Sequence, residues 1–239
     1  MARGITTLEQ MVEDLRLETR RSPDTNIGQD EYAALKRLLR RTQFFLYWDY
    51  DWPFLKIRRD ITLSLNDRYY DFDTDMDFER IVRIRANGNG QYTPIVRGIT
   101  EDDYNIYDSD NGDNAFPIQK WDVIVPEGET HEQMEVWPMP SENGEVVRLD
   151  GFKKLGALVE DEDVCTLDDT LIVLFSAAHL LTGQDDKLAK NCLDQANRIY
   201  LRMRGGAERV EGGYFVTGSQ LGAMKDIHNN PTVLAIRGS

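Results

Sequence analysis

Carboxylates are the most abundant reactive groups in this chain, 42 Asp and Glu among 239 residues, and two acidic strings have spacings that invite a chemical reading. DSDNGDN, residues 108–114, alternates oxygen donors as a calcium loop does. Its Gly112 falls one position early, and the twelfth position is Gln119 where a bidentate Glu is needed. The string therefore predicts a hydrated turn over residues 108–113, with a cation near Asp108–Asp113 as the lesser alternative. DFDTDMDFE, residues 71–79, sets acids on one face of a strand but lacks a tight-turn glycine. Acids so placed repel other sheet edges. His131, His179 and His228 are far apart and outside HExxH-like spacing. His179 lies in an apolar helical stretch and reads as a hydrogen-bonded core residue.

Other catalytic signatures are missing as well. Cys165 and Cys192 have no CxxC spacing and read as reduced thiols of a cytosolic setting. There is no GxxxxGK[ST] loop, and NGNGQ lies between two strands, the wrong context for dinucleotide binding. Acid pairs at glycosidase separation are expected by chance among so many carboxylates. The reading is a chain with no catalytic residue, no metal ligand set and no cofactor.

The remaining candidates are contact residues. Lys36–Arg40, Arg37–Arg41 and Arg198–Arg202 are each four apart, which makes basic stripes on two helices. Such stripes serve either as solvated faces paired to neighbouring acids or as subunit-to-subunit contacts. FFLYWDYDWPFL, residues 44–55, concentrates aromatics around Pro53. Trp48, Trp52 and Pro53 mark a junction whose aromatics fill a core; an interface or a ligand shelf is the other use of such residues.

Four helices are needed to hold these positions. In the first, Leu8, Met11, Val12 and Leu15 recur at helical spacing, and Thr7 with Gln10 suggests a capping box. SPDTNIGQ breaks the chain. The second helix runs from about Asp30, with Tyr32, Leu35, Leu39, Thr42, Phe45 and Leu46 inward, and stops before Pro53. A third, LIVLFSAAHLL, is apolar nearly all round, with Thr166 and Asp169 as its capping box and Gly183 as its stop. The fourth presents Leu188, Cys192, Ala196, Ile199, Tyr200 and Met203 on one face and ends at Gly205–Gly206.

Between the helical pairs the period drops to two. ITLSL, RYYDF, ERIVRIR, QYTPIVRG, FPIQKWDVIV, QMEVWP and EVVRLDGF read as about seven short antiparallel strands. ANGNGQ, residues 86–91, signals a hairpin. Acidic loops follow several strands, at 71–79, 101–113, 127–135 and 160–169. The fold class is thus α+β: a bundle of N- and C-terminal helices (1–52 and 160–206), an inserted antiparallel β-sandwich or barrel (53–159) and an extended C-terminal arm (207–239).

Charge follows the same partition. The formal net charge of −14 divides into +2 for residues 1–59, −18 for 60–169 and +2 for 170–239. A protein that grips duplex DNA presents a basic face, so this one touches DNA at most without holding it. The N-terminal MARGITTLEQ offers no apolar run of a secretion signal. Residues 171–181 are shorter than the roughly 20 that span a bilayer, which predicts no membrane partner.

LLRRTQFFLYWDYDWPFL, ITEDDYNIYDSDN, MEVWPMPS and DGFKKLGALVEDEDVCTLDDTLIVLFSAAHLL, in that order, resemble the head-to-tail adaptor proteins of tailed bacteriophages. They are especially similar to adaptors related to the tail tubular A proteins of short-tailed phages. The resemblance spans about residues 5–204, with RTQ…DYDWPFL and LDDTLIVLF its most specific blocks. It implies a structural virion protein of the neck, assembled in the host cytoplasm. Twelve copies would form a ring docked under the portal, with tail or nozzle proteins below and double-stranded DNA passing through. It implies no enzymatic step and no cofactor.

A closed ring needs one face of each subunit to meet a different face of the next. Lys36, Arg37, Arg40, Arg41, Arg198 and Arg202 against the acidic β loops would supply such a contact. The acidic loops themselves either face the channel and repel DNA or face outward and solubilise the ring. Tyr214, Phe215, Leu221, Met224, Ile227, Val233, Leu234 and Ile236 are candidates for a portal-docking arm that orders on binding, against the alternative of a loose terminus. Other neck or tail-tube components tend to be mainly β, so the helical flanks weigh against them. A peptidoglycan hydrolase or carbohydrate-binding tail protein has only the aromatic and acidic density of the middle segment in its favour.

Overall fold

The computed structural model describes residues 5–22, 29–88 and 90–212, and the side chains at 29, 30 and 206–212 are not described. These residues divide into two compact units. One holds the described residues of Met1–Glu9 and Arg40–Leu167, the other those of Gln10–Leu39 and Asp168–Ser239. The division falls inside a helix, between Leu39 and Arg40, and not at Pro53. It falls again between Leu167 and Asp168, eight residues beyond the 159/160 boundary read from sequence.

In the helical unit, α1 (Leu8–Glu18) contributes Met11, Val12 and Leu15, all fully buried at the predicted spacing. The first half of α2 (Gln29–Asp49) contributes Leu35, Leu38 and Leu39. After the short helix below, α4 (Asp169–Leu181) buries Leu171, Ile172, Val173, Leu174, Ala177, Ala178 and Leu181 on almost every side. Each large aliphatic side chain so buried stabilises by about 1.5–3 kcal/mol. The cap of α4 is Asp168, which accepts a hydrogen bond from the Leu171 amide. The expected Thr166 is taken elsewhere: its hydroxyl accepts from the Gly156 amide at 2.8 Å.

The last helix, α5 (Asp186–Gly212), runs straight through Gly205–Gly206 instead of ending there. Glycine costs about 1 kcal/mol within a helix, and the helix-forming residues that follow the pair carry the helix onward. The boundary at 206/207 therefore lies within a helix. The candidate arm residues Tyr214 to Ile236 and His228 lie outside the described residues.

In the other unit, α2 ends ahead of Pro53, and Trp52 takes the extended backbone (φ −60, ψ 117) that a following proline favours. Two four-stranded sheets follow. The first has the order β1 (Lys56–Thr62), β8 (Val146–Lys153), β3 (Met76–Gly88), β4 (Gln91–Pro94). The second has β2 (Tyr69–Asp71), β7 (Gln133–Trp137), β6 (Lys120–Ile124), β5 (Val96–Arg97). Every pairing is antiparallel except β5 with β6. The predicted single strand QYTPIVRG is thus two. Pro94 has no amide to donate; Ile95 still donates to the Ile84 carbonyl of β3, and from Val96 the chain pairs with β6.

Both sheets feed one cluster of buried side chains: Met76, Ile84, Val147 and Leu149 from the first, Tyr70, Trp121, Met134 and Val136 from the second. A short helix, α3 (Glu101–Tyr104), interrupts the chain between β5 and β6.

One irregularity matters for function. The β3–β8 register shifts between Asp77 and Arg83, a bulge that turns the Arg80 side chain inward. The bulge passes close to β8. A Cβ on Gly151 would sit 3.2 Å from the Arg80 carbonyl oxygen, so a side chain here would crowd the bulge.

Candidate functional site

The aromatic segment 44–55 divides by helical periodicity into a pinned side and an open side. Tyr47 and Trp52 are each 1 % exposed. The Trp52 indole Nε1 donates to the Leu46 carbonyl at 2.7 Å, within the last turn of α2. The Tyr47 hydroxyl donates to Asp77 Oδ2 at 2.6 Å and lies 3.0 Å from the Lys153 carbonyl. Burial, reinforced by the Asp77 carboxylate, pushes the Tyr47 phenol well above its ordinary range.

Arg80 closes this side. Its guanidinium donates to the carbonyls of Tyr47 (2.8 Å) and Tyr50 (3.3 Å) and pairs with Asp51 at 2.5 Å. A cation on the final carbonyls of a helix also opposes the negative end of its dipole. The same group lies 4.4 Å from the ring centroids of Tyr47 and Phe152, so one side chain caps, pairs and stacks at once.

On the open side are Phe44, Phe45 and Trp48, exposed by 51, 63 and 45 %. Their rings touch, with centroids 6.2 Å (Phe44–Phe45) and 6.3 Å (Phe44–Trp48) apart. Two sequence expectations fail here. Phe45 faces out and not in, and Trp48 does not fill a core. The physical reason is the inward set around Tyr47: with Arg80 and Asp77 holding it beside the buried Gln43 and Leu46, Phe44, Phe45 and Trp48 fall on the flank that faces solvent. Pro53 opens a short 3-10 turn, Pro53–Leu55, and is itself exposed.

The basic stripes fare unevenly. Arg37, Arg41, Arg198 and Arg202 are exposed. Lys36 is half-buried, with Nζ 4.7 Å from the Tyr32 ring centroid. Arg40 is exposed as well, while its Nε donates to the Leu158 carbonyl at 2.7 Å. A further cation, the fully buried Arg16, lies beside the Tyr32 ring at 5.8 Å and belongs to neither stripe.

Several acids of the β unit are paired internally. Glu135, buried in β7, takes Arg68 Nε at 2.7 Å and the Tyr104 hydroxyl at 2.6 Å, while Arg68 also reaches Asp110 at 2.6 Å. Lys120 holds Asp103 at 2.7 Å, which with the Thr100 amide draws that carboxyl down to about 2. Asp60 pairs with Arg148, Asp150 with Arg58 and Arg85, and Asp71 with His131. In the 108–114 string, Asp108 caps a 3-10 turn by accepting from the Asp110 and Asn111 amides. Among the described residues no group of three or more His, Cys, Asp or Glu is placed to hold a metal ion. Nor is any described helix long and apolar enough to cross a membrane.

A second open feature lies in the helical unit. Between α4 and α5 runs a groove of about 440 Å³, lined by Phe175, Ala178, His179, Thr182, Asp186, Ala189, Lys190 and Leu193. Small Ala178 and Ala189 on the two helices leave the hollow. His179, expected in the core, is exposed at this groove instead, because its helix turns that flank outward.

Comparison with known proteins agrees with a contact role. A protein-family model described as SU10 adaptor protein matches residues 6–213. The chain has no match among curated proteins. The family match supports a structural phage adaptor of the virion, acting between head and tail; it does not carry the narrower likeness to tail tubular A proteins.

Proposed function

We propose the following role for this chain, which belongs to the SU10 adaptor protein family: it is the head-to-tail adaptor that docks as a ring under the portal, receives the tail below and lets DNA pass through. The observation that carries this reading is the family match over nearly the whole described chain. The ring of twelve is taken from the likeness to phage adaptors, as no feature of one chain counts copies.

The reading has physical support. A conduit for DNA works best with few phosphate contacts, since each retards sliding, and the middle of this chain carries a charge of −18. The adaptor is a helical bundle built from both chain ends, with an inserted β-sandwich; two compact units, one drawn from residues 10–39 and the chain beyond 168, favour it. The portal contact falls to the apolar residues from Tyr214 to Ile236.

Negative-stain imaging of the purified chain mixed with its cognate portal tests the proposal. Discrete rings stacked coaxially on portal are the expected result. Solitary particles beside bare portals, at concentrations well above those in an infected cell, would overturn it.

A further inference from the structure

Three exposed aromatics on consecutive turns of one helix are unusual on a surface. The other large exposed apolar residues of the β unit, such as Val82, Val96 and Ile106, are dispersed over separate strands and loops. Scattered exposed apolar residues need no explanation, but a contiguous aromatic patch marks a place where another surface docks. Phe44, Phe45 and Trp48 form such a patch. Arg41 stands one turn and Arg37 two turns before it on the same helix. Aromatics flanked by arginine are the composition of energetic hot spots.

The same chain carries a concave apolar counterpart. The α4–α5 groove has a volume of about 440 Å³, within the roughly 300–1,000 Å³ range of pockets that enclose small organic molecules. Aromatic rings fit such a space. Phe175, Ala178, Ala189 and Leu193 offer them an apolar bed, and Leu193 is 41 % exposed, so the bed is open.

We propose that the aromatic face of α2, formed by Phe44, Phe45 and Trp48, inserts into the α4–α5 groove of a second copy of this chain. This rests on the ring reading above and names the surfaces that close the ring. Two aromatic patches pressed together would make an isologous pair with two-fold symmetry, which cannot build a ring of many copies. A knob on one face and a groove on another make the heterologous contact that can.

Charge complements the insertion. Asp186 lines the groove and Asp194 is exposed one turn beyond Lys190 on the same helix, and both attract the arginines that precede the knob. Lys190, between them, lies in the lining as well, so the charges favour the contact without fixing its direction.

The test uses two full-length variants, Phe45→Glu on the knob and Leu193→Glu in the groove, with wild type and Val82→Glu as controls. All are mixed with cognate portal, and native mass spectrometry counts adaptor copies per portal. Wild type and Val82→Glu give full rings, while each variant loses about a hundredfold in adaptor–adaptor affinity and gives no closed ring. Mixing the two variants restores a single intact contact, so hetero-pairs appear without rings. Circular dichroism establishes that each variant is folded; should one not be, benzoylphenylalanine placed at Phe45 replaces it. Photo-crosslinking between isotopically light and heavy copies should then join Phe45 to peptides of α4 and α5.

Full rings from either variant would overturn the contact, as would the absence of hetero-pairs or crosslinks that map outside the groove. If wild type itself gives no ring on portal, the proposed function fails and not merely this surface.

Discussion

Tyr47 and Trp52 lie within one aromatic segment with Phe44, Phe45 and Trp48, and the two sets could hardly differ more. The first pair is sealed from water and every polar atom is engaged, by Asp77, Lys153 and Leu46. Of the other three rings, all exposed, Phe44 touches both Phe45 and Trp48, and Trp48 also reaches the pinned side, edge-on to Tyr47 at 5.6 Å. The difference teaches that aromatic density here serves two ends, one face anchoring α2 to its sheet and the opposite face left for assembly. Burial separates them: Tyr47 is held inward by Asp77 and Arg80, and Trp52 by its bond to the Leu46 carbonyl.

Substitutions should break the two sides differently. Trp52→Ala is expected to have the largest effect, a loss of about 3–5 kcal/mol in stability, since a large buried ring leaves a cavity. Urea denaturation would measure it, and a loss no larger than that of a surface variant would erase the distinction. Tyr47→Phe removes only the hydroxyl and the bond it donates to Asp77, and an effect of about 1–2 kcal/mol is expected from the same measurement. Trp48→Ser should fall within about 0.5 kcal/mol of wild type in stability, yet weaken ring formation. A Trp48→Ser chain that unfolds as readily as Trp52→Ala would show that both sides serve the fold.

Some of this was legible in the sequence. The break at Pro53 is visible because proline forces Trp52 extended, and the stretches FPIQKWDVIV, QMEVWP and EVVRLDGF each contain a strand, β6, β7 and β8. Which aromatics face outward is not legible, because residues 44–48 are aromatic or aliphatic on several sides of the helix and a period of 3.6 fits more than one inward face. The outcome depends on Arg80, whose reach comes from a bulge and not from strand alternation. The groove is equally hidden. It exists because Ala178 and Ala189 lie on adjacent helices, a pairing that single-helix periodicity does not report. Gly205–Gly206 misleads for a different reason: a glycine pair weakens a helix by an amount its neighbours offset.

Hydroxyl-radical footprinting of the wild-type chain, free and assembled on its portal, tests the central claim most directly. In the free chain Phe44, Phe45 and Trp48 should oxidise readily while Trp52 and Tyr47 stay protected. On assembly the three exposed rings should lose most of their reactivity, together with Leu193, and Val82 should keep its own. Undiminished oxidation of Phe44, Phe45 and Trp48 in the assembled ring would contradict the account.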